Sequence, residues 1–444
     1  MPVSPIYDVA IVGGGASGLA AAISAARHGA SVCVVERDVE AGLTLLATGN
    51  GRCNISNASL DAKRYRHPES VSSLFGTQPE QDIENFFDSV GLLLAQEDEG
   101  RLYPVTRRAE SVRDVLLSSC RRLGVDIISC AALLHAKHED AWNLTLSVPE
   151  SILSFKRGRD FKSHIRNARK ASAEARRADL PLRARSIVLA VGGRSQDACG
   201  VLGIPHIEEE PVLCPIACIL DITLTPASKN ERALERLDGL RVEAMLSLKR
   251  KGAAIAYEQG EVLFRPYGIS GIAAFNLSRR MKAGDVIELD LFPDVNSPGL
   301  ESLLRHRERA IGPFSPDGHW FDGMLARPIG QLITHLTARS NDPLATAATL
   351  LHHLPLHVDG AAEPKQAHVH RGGIPLSCVD LSTLALTDIP DSGTPVTGLY
   401  ACGEALDMDA DCGGYNLAWA WLTGIRAGSC AALCSRKDSY AGDN

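Results

Sequence analysis

Three glycines and one acid are the first residues with chemistry in them. Gly13, Gly15 and Gly18 form G-x-G-x-x-G directly after the apolar run Val9–Val12. In that setting the first glycine makes a tight turn, the second lets backbone approach a pyrophosphate, and the third lets a helix pack closely on a strand. A helix opening near Ala16 and Ser17 aims free N–H groups and its positive dipole end at the phosphates. Val32–Val35 reads as a second strand, and Glu36, with Arg37 after it, closes that strand. An acid about 20 positions beyond the glycines is placed to accept hydrogen bonds from ribose hydroxyls. Strand, turn, helix, strand and acid in this order predict a dinucleotide site, without yet choosing between NAD and FAD.

Two further stretches bear on that choice. The loop Ala41–Asn57, AGLTLLATGNGRCNISN, is rich in glycine, asparagine and serine and carries few charges. That composition suits an ordered loop whose backbone donors approach a ligand. The segment Gly398–Gly428 holds a short strand, a glycine turn, an acidic loop and a helix opening near Tyr415. A second glycine turn facing a second helix start is what a long dinucleotide needs at its far end, so the choice moves to FAD. The strand RSIVLAVGGRS, with its Gly192-Gly193 turn, fits the edge of the same site.

Other chemistries find less support. The 12 cysteines include no C-x-x-C pair, so neither a zinc site nor a disulfide framework is expected. A disulfide reductase of this fold needs paired cysteines soon after the first βαβ unit, and only Cys53 stands there. Cys53 reads better as a small residue packed in a tight loop. His368 and His370 alternate on an expected strand but have no further ligands at suggestive spacing, so no metal is expected. No histidine stands in a recognisable context for covalent flavin attachment. Tyr267 and Tyr415 are phenols available as proton donors.

The elements that position these residues follow from composition and period. A chain of 444 residues, 45% hydrophobic and 22% charged, suggests two or three globular domains. Its net charge of -7 argues against a general nucleic-acid binder. No run is long enough to span a membrane, and scattered thiols fit a reducing cytoplasm. Residues 68–96 and 109–123 read as helices. Residues 156–185 hold eleven Lys and Arg against three acids, a run that reads as a solvated helical excursion, with anion binding as its alternative. After residue 205 short strands dominate, then helices to Leu354. Trp419 and Trp421 lie two apart, so they cannot share one helix face, and one of them is expected between domains.

Two of these stretches, LLATGNGRCNISN (Leu45–Asn57) and GLYACGEALDMDADCGGYNLAWAW (Gly398–Trp421), resemble the bacterial YhiN-like or BaiN-like (aminoacetone-oxidase-like) flavoproteins. LYPVTRRAESV, RPYGISG and QAHVHRGG add weaker matches, and the resemblance covers most of the chain. It implies an α/β fold: a Rossmann-type two-part FAD-binding domain (1–200 and 372–444) around an inserted β-rich domain (201–296), a helical subdomain (297–354) and a return strand (355–371). FAD would be non-covalent. Gly13, Gly15, Ala16, Ser17 and Gly18 would hold the pyrophosphate and Glu36 the ribose. Thr48, Gly49, Gly51, Arg52, Cys53 and Asn54 would reach the flavin. Gly403, Glu404, Asp411, Gly413, Gly414, Tyr415, Asn416 and Leu417 would pass the ribityl chain and ring. The chain departs from the family's pattern at Thr44, where lysine is usual, at His370, where threonine is usual, and in its basic excursion. A glycine-rich turn and helix after Gly193 are expected to be missing.

The expected activity is reduction: NAD(P)H reduces FAD, which passes hydride to a polarised C=C or C=O of a small molecule. Arg52, Cys53, Asn54, His370 and Tyr415 are the catalytic candidates. The alternatives are an oxidase taking an amine or aminoketone with O2 and, ranked last, a flavin-dependent RNA modifier docking on the basic run. Substrate, nicotinamide preference and oligomeric state stay open.

Overall fold

The computed structural model describes residues 6–220, 234–315, 319–364, 367–387 and 397–441. The chain divides into two compact units: Met1–Glu210 together with His370–Asn444, and Pro211–Val369.

The first unit begins with β1 (Ile6–Val12), α1 (Ala16–Arg27) and β2 (Val32–Val35). Val9, Ala10, Ile11 and all of β2 are buried, because parallel neighbours flank them and helices cover their faces. Gly13 turns the chain at φ +107°, and a Cβ there would lie 2.3 Å from the Ala190 carbonyl oxygen. Only glycine takes that turn without strain.

Next come β3 (Ser56–Asn57), α2 (Pro68–Phe75), α3 (Pro79–Val90), β4 (Leu94–Gln96), β5 (Arg101–Pro104), α4 (Ala109–Arg122) and β6 (Asp126–Ile128). The helical reading of residues 68–96 is interrupted. Gly76, at φ +73°, ends α2, Pro79 starts α3, and residues 94–96 extend as a strand. Both interruptions follow from the terminator and initiator roles of glycine and proline. Helix α4 buries Val112, Leu116 and Cys120 as one stripe.

A meander follows: β7 (Ala132–His138), β8 (Trp142–Pro149), α5 (Phe161–Glu174) and β9 (Arg177–Leu189). The basic run therefore supplies one helix and the first half of a long strand. Asp160 opens α5 with a capping box, its carboxylate accepting from the Ser163 amide. Along β9 burial alternates until Arg185 and becomes continuous from Ser186. The change marks where antiparallel β8 gives way to parallel β1 and to β18 (Leu399–Ala401) as covered neighbours. The sheet order is β6-β2-β1-β9-β8-β7, with β18 on the far end of β9.

The stretch after Gly193 is not bare, as expected from sequence. It holds α6 (Gln196–Leu202), seven residues closed by Gly203 in the left-handed region. Sequence period cannot register a helix of two turns. Then β10 (Ile207–Val212) leads out of the first unit.

The second unit is a closed antiparallel barrel with helices. Its strands are β11 (Ile216–Leu220), β12 (Arg241–Arg250), β13 (Ala253–Arg265), β14 (Gly268–Ser270), β15 (Val286–Asp290) and β16 (Leu354–Ala361), in the order β11-β14-β13-β12-β15-β16. Helices α7 (Ile272–Ser278), α8 (Ser297–Ile311), α9 (Arg327–Thr337) and α10 (Pro343–His352) share its apolar core through Leu277, Leu304, Ile333 and Leu351.

The chain re-enters the first unit on β17 (Val369–Gly373) and ends in α11 (Tyr415–Ala441) after β18. Helix α11 lies against α1 so closely that a Cβ on Gly424 or Gly428 would come within 2.4 or 2.2 Å of the Ser17 or Ala21 carbonyl oxygen. Trp419 and Trp421 are both buried inside this unit, so neither is the inter-domain packing residue expected from their spacing. They serve different neighbours: Trp421 meets Phe87 edge-on, and Trp419 meets Phe75. Among the described residues no helix is long and apolar enough to cross a membrane.

Candidate active site

All the residues expected to hold a cofactor lie in the first unit. They fall into three groups. The first is the G-x-G-x-x-G turn. Gly15 opens α1 without any side-chain cap, and no acid stands in the helix's first turn. An N-terminus with open N–H groups and no carboxylate favours an anion. Ser17 and Gly18 are buried behind it, and Gly18 rests against the Gly13 carbonyl. The Glu36 carboxylate accepts from Gly14 N at 2.7 Å and from Asp38 N at 2.6 Å. Those amides fix its orientation, and each carboxylate oxygen keeps capacity for another donor. Arg37 turns away: its exposed guanidinium lies 4.0 Å from Asp197.

The second group is the loop from Leu43 to Asn57. Gly49, Asn50, Gly51 and Cys53 all have positive φ, so the backbone coils tightly. Thr48 donates its hydroxyl to Leu45 O at 2.7 Å. Cys53 is fully buried, and burial pushes its thiol up to about 11. It stays protonated near neutrality, which removes it as a thiolate nucleophile. Arg52 bonds Glu97 and lies over the Tyr103 ring at 4.3 Å. Arg107 bonds the same Glu97 oxygen at 2.5 Å.

Asn54 is a clamp. Oriented by its partners, its amide nitrogen donates to Ser56 O (3.0 Å) and Leu102 O (3.2 Å), and its oxygen accepts from Gly414 N (3.1 Å). Asn57 donates to Gly413 O at 3.1 Å, and the Trp421 indole donates to Ile55 O at 3.0 Å. A Cβ on Gly414 would sit 2.3 Å from the Ser56 carbonyl oxygen. The loop and the glycine pair that opens α11, more than 350 residues apart, are thus one structure.

The third group gathers Gly192, Gly193, His370, Gly403 and Glu404. Gly192 turns at φ +66°. A side chain on Gly193 would strike Glu404 Oε1 at 2.4 Å and His370 Cβ at 2.7 Å. Glu404 Oε1 accepts from His370 N at 2.7 Å and lies 3.5 Å from His370 Nδ1. Glu404 raises the imidazole's pKa above the ordinary histidine value. Gly403 seats against Ser17: a Cβ there would be 2.4 Å from Ser17 Oγ. Its amide donates to Thr423 Oγ1 at 2.9 Å, and Trp419 Nε1 donates to its carbonyl at 3.0 Å. The third group therefore adjoins the first. Beside it, Cys402 is wholly buried and its thiol is pushed up to about 12.

The arginine partners of the acidic loop escaped sequence reading. Asp407, Asp409 and Asp411 are all buried, and each takes an arginine. Arg66 bonds Asp407, Arg371 meets Asp409 at 2.8 Å, and Arg64 meets Asp411 at 3.4 Å. The D-x-D-x-D alternation is visible in the sequence, but its partners come from two distant places, Arg64 and Arg66 in one segment and Arg371 in another. Asn416 pins the same loop: its side-chain oxygen accepts from Ala410 N, and its nitrogen donates to the Ala410 and Asp411 carbonyls. Tyr415 is buried with its ring edge on Tyr65 at 5.9 Å, and burial raises its phenol. Leu417 packs against the first unit's core. His368 does not join this group, because its ring packs on Phe275 in the second unit.

With this geometry in place the chain can be set beside known proteins. The Rossmann-domain model of the HI0933-like proteins matches residues 7–159, and their barrel and H2TH domain model matches residues 221–369. The chain belongs to the HI0933-like family. This is a family of FAD-dependent oxidoreductases, and the chain is an enzyme of that kind. It is 26% identical to the 3-dehydro-bile acid delta(4,6)-reductase of Clostridium scindens, over 96% of this chain and 98% of that protein. It is 23% identical to the ribosomal RNA dihydrouridine synthases of Haemophilus influenzae, over 96% and 98% of the two chains, and of Escherichia coli, over 94% and 95%.

FAD fits the residues present. An uncapped helix start suits a pyrophosphate, and the Glu36 carboxylate keeps acceptor capacity that suits ribose hydroxyls.

Proposed function

We propose that the enzyme reduces a C=C bond conjugated to a carbonyl, with NAD(P)H as electron source and FAD held non-covalently. The observation that carries this reading is the chemistry that two differently named relatives share. A delta(4) bond beside a 3-dehydro (3-oxo) group and the 5,6-bond of uracil are both C=C bonds conjugated to C=O. Each relative aligns with nearly the whole of this chain.

Gly13, Gly15, Ala16, Ser17 and Gly18 hold the pyrophosphate in this reading, and Glu36 holds the adenosine ribose. The loop 48–54 and the turns 403–404 and 411–417 enclose the flavin end, with Gly192 and Gly193 at its edge. Bound there, FAD would supply hydride chemistry to the carbon β to the carbonyl.

The chain's own part is the proton. Reduction of an enone leaves negative charge on the carbonyl oxygen and the α-carbon, and one proton must be delivered. His370 suits this role. Glu404 holds its backbone amide and faces Nδ1, leaving Nε2 as the donating atom. The raised pKa keeps more of the imidazole protonated near neutrality. Tyr415 is the second candidate donor, while Arg52 and Asn54 act by shaping the loop.

The test is anaerobic titration of the purified yellow protein. NADH or NADPH should bleach the flavin rapidly, and a 3-oxo-delta(4) compound should restore its colour. Absence of bleaching by both nicotinamides, with fast reaction of chemically reduced protein with O2, would sink the proposal in favour of an amine oxidase. His370→Gln should slow the second half-reaction and leave the first unchanged. Restoration by uridine-containing RNA but not by the steroid would assign the same chemistry to a nucleic-acid substrate.

A further inference from the structure

The segment around α5 is the largest charged feature that the cofactor site does not use. With eleven cations and three acids, residues 156–185 carry +8 on a chain whose net charge is -7. Some of these cations are occupied. Arg169 bonds Asp38 through two nitrogens, which ties α5 to the end of β2. Arg177 bonds the Ser147 and Cys130 carbonyls, and Arg183 bonds Asp140. The others are not. Lys156, Arg157, Arg159, Lys162, Arg166 and Arg176 are exposed, and none forms an ion pair among the described residues.

Two aromatic rings stand among them. Phe155 is 36% exposed and its ring lies 5.3 Å from that of His164; Phe161 is 43% exposed, with the Arg113 guanidinium 5.5 Å from its centroid. Each ring is held by the protein and still offers surface to solvent. Beyond Phe161, the apolar stripe of α5, Ile165 and Ala168, is already buried. That distinguishes the feature from a membrane-surface helix, which must keep its apolar stripe free for the lipid.

We propose that this surface docks RNA through its phosphodiester backbone. Unpaired Lys and Arg beside partly exposed aromatic rings suit phosphates and unstacked bases together. Lys162 and Arg166 lie one turn apart on α5, with Lys156, Arg157 and Arg159 just before the helix and Arg176 just after it, so the segment offers cations to several successive phosphates. Arginine predominates among the free cations, and its planar fork matches phosphate oxygens. Docking by charge predicts weak sequence preference and strong salt dependence. The surface acts independently of the reaction proposed above, and either can fail without the other.

The experiment uses the full-length holoprotein. Binding of a fluorescent polyuridine strand and of an RNA hairpin is measured across a salt series. The comparison is a variant carrying Lys156→Glu, Arg157→Glu, Arg159→Glu and Lys162→Glu. None of these residues belongs to the cofactor site, so flavin content and bleaching by NAD(P)H report whether the variant is folded. The expected result is RNA binding that weakens linearly in log–log form as salt rises. In the variant, affinity should fall at least tenfold and the salt slope should shrink, with flavin content unchanged. A milder variant, Arg157→Gln with Arg159→Gln, should give an intermediate loss. Equal RNA affinity in the original and variant proteins would overturn the proposal. So would binding to phosphatidylserine vesicles with no RNA retention, which would reassign the surface to a membrane.

Discussion

The two ends of the cofactor site are built on different principles. The G-x-G-x-x-G end is built mostly from one segment: strand, turn, helix and acid occupy Ile6–Glu36, with Ala190, Gly403 and α11 packed against it. The other end is assembled from residues 48–57, 192–193, 370–371 and 403–417, brought together by Asn54, Asn57, Trp421 and the arginine–aspartate pairs. A local site survives wherever its chain segment folds. An assembled site depends on every clamp. The first end should therefore fail only through its own backbone, and the second should fail through residues that never touch a ligand.

The largest effect should come from the assembled end. Asp409 has no exposed surface, and Arg371 is its neighbour at 2.8 Å. Removing one partner of a buried ion pair costs roughly 3–5 kcal/mol. Arg371→Ala should lower the urea midpoint accordingly, and Arg371→Lys should recover part of the loss. Equal midpoints for Arg371→Ala and the original protein would show that the pair does not brace this region. Next, Gly13→Ala should cost about 3 kcal/mol, because it adds a clash to a positive-φ strain. Here flavin retention should fall together with stability, since the turn is itself the site.

Asn54→Ala comes third. It removes the bonds to Gly414 N and to the Ser56 and Leu102 carbonyls, of which Leu102 O still accepts from Ile55 N, and costs about 1–3 kcal/mol. It should change the flavin's absorbance or fluorescence more than its retention, because the adenosine end stays intact. Glu36→Ala should do the reverse, weakening retention with little change in stability. If both variants lost flavin equally without a spectral change, the contrast between the ends would not stand.

The same contrast explains what the sequence could disclose. Val9–Val12, the three glycines and Glu36 lie within one βαβ unit, so spacing alone placed them. The barrel was legible as a series of alternating short strands, although its closure was not, since registry between β11 and β16 is a long-range property. The clamp residues were visible only as unusual residue types. Asn54 read as a flavin contact, with no sign of the backbone it also bonds, and Trp419 and Trp421 read as packing residues, at least one of them between domains. Asp407 and Asp409 were passed over because their arginines, Arg66 and Arg371, stand more than 300 and nearly 40 residues away. The helix α6 was missed because seven residues give too little period to read.

The smallest expected effect concerns pH, and it tests whether His370 and Glu404 work as a unit. Glu404 raises the His370 pKa in the folded chain. A raised folded value means that the protonated form binds the fold better than the unfolded chain. The stabilisation is then fully present below the unfolded value of about 6.5 and is lost as pH rises through the folded pKa. In urea titrations the original protein should exceed His370→Gln by most at mildly acidic pH, and the two should converge as pH rises past neutrality. Glu404→Gln should remove the same pH dependence while keeping an acceptor for the His370 amide. A constant difference between the original and His370→Gln proteins across that range would separate the imidazole from Glu404. It would also weaken the case for Nε2 as the proton donor, because Glu404 raises the imidazole's pKa more than its other acidic neighbour, Glu209.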